Sequence, residues 1–128
     1  MTAIINYGVG NLFSLTGSLK HLGIDTIVTA DADEIRKADR IILPGVGAFP
    51  AAMNMLNNSG LVPLIHEQTK IKPFLGICLG MQLLFYIIFL SLSLTSIKNS
   101  SVFTFFLFSK VESKKRSPVI TPSSIVCV

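Results

Sequence analysis

Three short, mostly apolar runs in this chain each break at a glycine-bearing turn and then resume with helical character. They are Ala3–Asn6 before Tyr7-Gly8-Val9-Gly10, Arg40–Leu43 before Pro44-Gly45-Val46-Gly47, and Pro73–Ile77 before Cys78-Leu79-Gly80. A strand that turns into a helix, repeated along the sequence, is the pattern of parallel β-α units, because parallel neighbours need a crossover to connect them. The intervening segments agree. Asn11 can cap a helix whose apolar positions Leu12, Leu15, Leu19 and Leu22 follow helical spacing, and Gly23 suits its end. Thr26–Val28 reads as a second strand and Asp31–Lys37 as a short helix with its acids at the favourable dipole end. Helices are predicted over Ala48–Leu56 and Leu61–Thr69, separated by Asn57-Asn58-Ser59-Gly60, and again from near Met81. The pattern predicts an α/β fold, a parallel sheet of about four strands with helices on both faces. Functional loops of such sheets lie at the carboxyl ends of the strands, which is where all three glycine turns fall.

Charge divides the chain in two. Through Gln82 there are six Lys+Arg and six Asp+Glu; beyond it stand five basic residues and one acid, which is the whole net charge of +4. All nine glycines lie at or before Gly80. We therefore expect a domain-like part over residues 1–85 and an unrelated apolar and basic tail over 86–128 that is not an independent domain. Its glycine-free, Phe- and Ser-rich composition is the kind that translated AT-rich non-coding DNA gives. Pro73–Ile97 carries no charge and is long enough for a membrane span, but Gly76, Cys78, Gly80 and Gln82 favour a buried strand and helix followed by the tail. No secretory or transit pattern opens the chain, and two cysteines are too few for a disulfide scaffold. The expected location is the cytoplasm. No metal or cofactor motif is present. Lys114-Lys115-Arg116 is too small a basic patch to imply nucleic acid.

Gly76-Ile77-Cys78-Leu79-Gly80 has the form Gly-x-nucleophile-x-Gly. A sharp strand-to-helix turn needs glycines beside the nucleophile because the backbone crowds it there. A thiol so placed sits at a helix amino terminus, which favours the reactive thiolate. The Leu79 N–H would face the same spot and could stabilise an oxyanion. The bland alternative is an inert buried cysteine.

Tyr7-Gly8-Val9-Gly10-Asn11-Leu12, Ile42–Phe49 and Pro73–Phe85 together resemble the glutamine amidotransferase subunit or domain of imidazole glycerol phosphate synthase, a class I, triad-type glutamine amidotransferase. The resemblance implies a flavodoxin-like sheet and no cofactor. It makes Cys78 the nucleophile on the glutamine amide, and Gly45, Val46 and Gly47 the oxyanion strand beside Leu79. Gln82 would line the glutamine pocket, and Asn11 would lie near the interface with a (β/α)8 cyclase partner that receives the ammonia. It also implies a His and an acid near the end of a longer domain, whereas the histidines here are His21 and His66, both before Cys78. Adjacent helical residues diverge, so His66-Glu67 makes no triad. The chain alone is therefore expected to be a poor glutaminase, unstable or aggregating where missing strands leave the sheet edge bare. Two alternatives remain: a non-catalytic protein that docks on the cyclase, and a fragment associated with membranes.

Overall fold

The computed structural model describes residues 1–93 and 125–127, with side chains through residue 89. In chain order the elements are β1 (Thr2–Ile5), α1 (Leu12–His21), β2 (Thr26–Thr29), α2 (Ala32–Lys37), β3 (Arg40–Gly45), α3 (Phe49–Asn58), α4 (Val62–Gln68), β4 (Phe74–Cys78), α5 (Leu79–Ser93) and β5 (Ile125–Cys127). All strand pairs are parallel, in the order β2-β1-β3-β4-β5. The first four strands and their helices form the truncated flavodoxin-like arrangement that the sequence implies.

Local chemistry sets most element ends. The Asn11 side chain accepts the Ser14 N–H, and Gly23, at φ 70°, lets the chain leave α1. The Asp31 carboxylate accepts the N–H groups of Asp33 and Glu34 and starts α2. Pro50 sits in the first turn of α3, where its missing N–H costs nothing.

Alternate strand residues Ile5, Ile41, Leu43 and Phe74 point to one face. There they pack against Ile35 of α2, Ala52 and Leu56 of α3, Leu64 and Ile65 of α4, and Leu83, Leu84 and Ile87 of α5. Right-handed crossovers leave α1 on the opposite face, and none of its residues is buried.

The edge of β4 is not bare. Ile125, Val126 and Cys127 lie in register with Phe74, Leu75 and Gly76, so three residues of the tail extend the sheet where the sequence reading expected an open edge. α5 runs on past Phe85 to Ser93. Among the described residues no helix is long and apolar enough to cross a membrane. The β-prone run Val102–Leu107 and the Lys114-Lys115-Arg116 patch lie outside the described residues.

Candidate active site

Because β1, β3 and β4 are parallel neighbours, the loops that follow them emerge side by side at the carboxyl end of the sheet. Cys78 ends β4 there, exposed, with Leu79 opening α5 behind it. Its φ is 54°, the one positive value at a non-glycine among the described residues. Such a conformation costs about 1–3 kcal/mol and persists only where the surroundings over-determine it.

Close backbone packing does so here. A Cβ on Gly80 would lie 2.0 Å from the Leu43 carbonyl oxygen, and one on Gly76 would lie 2.6 Å from Met81 Cα. A Cβ on Gly45 would lie 2.4 Å from the Gly80 nitrogen. Gly45 and Gly80 thus let β3 press directly against the turn that presents the thiol, and Gly76 lets the start of α5 fold back against β4.

Gly45 is in register with Cys78, so the Pro44–Gly47 loop begins about one strand spacing, roughly 4.8 Å, from Cys78. Gly45 is buried, Val46 is half-exposed, and Gly47 takes the left-handed region at φ 87°. Leu79 is buried and Gln82 is exposed in the first turn of α5, on the same turn system as Cys78. Asn11 stands at the end of the neighbouring β1 loop, where it also caps α1.

Two contacts that the sequence did not announce hold the loop. The Tyr7 hydroxyl, buried, donates to the Pro44 carbonyl at 2.8 Å. At the far end, Phe49 meets Tyr86 of α5 edge-on, with ring centroids 5.6 Å apart. An aromatic residue immediately after a strand was the available signal for the first, but its partner lies 37 residues away.

The histidines are elsewhere. His21 ends α1, and His66 occupies the last turn of α4, which leads into the opposite end of β4 from Cys78. The intervening strand spans roughly 13 Å.

Comparison with known proteins gives the family. The family model "Glutamine amidotransferase class-I" matches residues 3–117. The chain belongs to this family. Among its relatives is imidazole glycerol phosphate synthase subunit HisH of Bacillus cereus (strain AH187), 56% identical over 86 residues, which is 66% of this chain and 41% of that protein. The Exiguobacterium sibiricum subunit HisH is 52% identical over 85 residues, 66% of this chain and 44% of that protein. The subunit HisH of Bacillus anthracis (strain CDC 684) is 55% identical over 86 residues. The chain thus spans about two-fifths of the length of these curated relatives. The Gly-x-Cys-x-Gly turn of this family member has the strained, glycine-packed conformation described above.

Burial pushes the Tyr7 hydroxyl up to about 12. The folded pKa therefore exceeds the ordinary value near 10, and folding favours the neutral phenol. This contribution is complete below about pH 10 and is lost as pH rises through the folded value. Circular dichroism during alkaline titration should show destabilisation opening above about pH 10. In Tyr7→Phe that alkaline limb should move to higher pH.

Proposed function

We propose that this chain carries the nucleophile-bearing part of a glutaminase that supplies ammonia to imidazole glycerol phosphate synthase. Residues 1–85 hold the chemistry, and the tail from residue 86 is an appended segment. The observation that carries the reading is the strained Cys78, exposed at the head of α5 and in register with Gly45 of the neighbouring loop. Identity of 52–56% to HisH subunits over the same segment supports it.

In this reading the Cys78 sulfur attacks the side-chain amide carbon of glutamine. The carbonyl electron pair moves onto oxygen, where N–H groups of Gly45, Val46 or Gly47 and of Leu79 stabilise it. Collapse breaks the C–N bond, and the nitrogen leaves as ammonia once it has gained a proton. A thioester remains on Cys78, and water converts it to glutamate. Gln82 lines the glutamine pocket. Asn11 lies toward a (β/α)8 cyclase subunit, and Phe13 beside it, 91% exposed, offers that partner an apolar contact. The setting is the cytoplasm.

A glutamine analogue with a diazoketone in place of the amide tests the site without requiring turnover. Mass spectrometry should find the label on Cys78, with excess glutamine slowing its appearance and Cys127 much less modified. Equal labelling of both cysteines, or no protection by glutamine, would sink the assignment.

A further inference from the structure

Pro44 precedes the loop beside Cys78, and its carbonyl is turned away from that cysteine. The Tyr7 hydroxyl holds it from the β1 side of β3, at 2.8 Å. In a planar trans peptide the carbonyl of one residue and the N–H of the next point in opposite directions. Drawing the Pro44 oxygen toward β1 therefore aims the Gly45 N–H toward β4, where Gly45 is in register with Cys78. The same β1 loop runs close to Pro44 at a second point, since a Cβ added at Gly10 would stand 3.2 Å from both Cβ and Cγ of the proline ring.

Tyr7 is only 5% exposed, so water cannot readily replace its hydroxyl as the donor. Buried carbonyls need a partner, and Tyr7 supplies one where the β3–β4 pairing, which includes Pro44 and Gly45, comes to its end. The phenol also stays protonated throughout the neutral range, since burial raises its pKa. Beyond Gly45 the loop has little else to hold it until Phe49, because Val46 and Gly47 are exposed and Gly47 tolerates either sign of φ.

We propose that Tyr7 is a positioning residue for the oxyanion loop: its hydroxyl anchors the Pro44–Gly45 peptide at the end of β3 and so sets the direction in which the Val46 and Gly47 N–H groups leave the strand toward an acyl group forming on Cys78. This rests on the assignment of Cys78 and the Gly45–Gly47 loop made above. The role is separable from packing because the phenylalanine ring fills the same space.

Two thiol reagents distinguish the possibilities on the full chain. p-Nitrophenyl acetate reacts through a tetrahedral oxyanion: the thiolate adds to the ester carbonyl, and p-nitrophenolate leaves to give an acetyl thioester. Iodoacetamide alkylates the same sulfur by displacing iodide, with no oxyanion. In Tyr7→Phe, acylation of Cys78 should slow about tenfold, while alkylation should change by less than about twofold, the pattern expected when oxyanion donors lose their aim. Mass spectrometry separates Cys78 from Cys127, and circular dichroism checks folding. Tyr7→Leu, which also lacks the hydroxyl, repeats the measurement should the first variant fail to fold. A ratio of the two rates unchanged in a folded variant overturns the positioning role and leaves the site assignment standing. Failure of wild-type Cys78 to react faster than Cys127 with the ester overturns the site assignment and the positioning role with it.

Discussion

Replacing Gly80 with alanine is expected to unfold the domain. The added Cβ would lie 2.0 Å from the Leu43 carbonyl oxygen, 2.8 Å from its carbon and 2.9 Å from the Pro44 carbonyl carbon. These obstacles are backbone atoms of the central strand β3, which is paired on both sides, so no side-chain rotation relieves them. Overpacking typically costs about 1–3 kcal/mol where neighbours can yield; rigid backbone puts this case at about 3 kcal/mol or more. Domains of this size hold only about 0.05–0.15 kcal/mol per residue in total. Gly17 provides the control. It lies in α1 with no atom within 4 Å of where an added methyl would stand, so Gly17→Ala should stabilise by about 0.5–1 kcal/mol. Urea denaturation followed by circular dichroism reads both. A Gly80→Ala midpoint near that of the wild type would show that β3 and the Cys78 turn are not in the close contact described.

The sequence made visible those features whose causes are local. Asn11 and Asp31 bind backbone N–H groups two or three residues ahead, so both caps could be read from single positions. Gly-x-Cys-x-Gly likewise announces a tight turn, because both glycines lie within two residues of the strained one. Strand ends were less legible. β3 continues to Gly45, past the Pro44 where the sequence reading stopped it, and β4 includes Cys78 itself. Proline lacks only the N–H; its carbonyl still needs a partner, and Tyr7 supplies it from another loop. β5 was not legible at all. Ile125–Cys127 is only three residues long, too short to show alternation even though Thr121-Pro122-Ser123-Ser124 precedes it, and its place depends on pairing with a strand about fifty residues earlier.

Mixed with the purified (β/α)8 cyclase subunit, the chain as it stands should release glutamate at least about ten-thousand-fold more slowly than a complete triad enzyme. The reason lies in the leaving group. An amide nitrogen departs readily only as it gains a proton, and in triad enzymes a histidine takes the nucleophile's proton and returns it at that step. No histidine follows Cys78 in these 128 residues, and His66 sits toward the opposite end of β4. p-Nitrophenolate, by contrast, leaves without protonation. The chain should therefore form a thioester from the activated ester while leaving glutamine almost untouched. An enzymatic glutamate assay with cyclase present supplies one half of that comparison and p-nitrophenolate absorbance the other. Glutamate turnover like that of a complete enzyme would mean that another group moves the proton. Absence of both reactions would mean that the fault lies at Cys78 or its loop, rather than in the missing base.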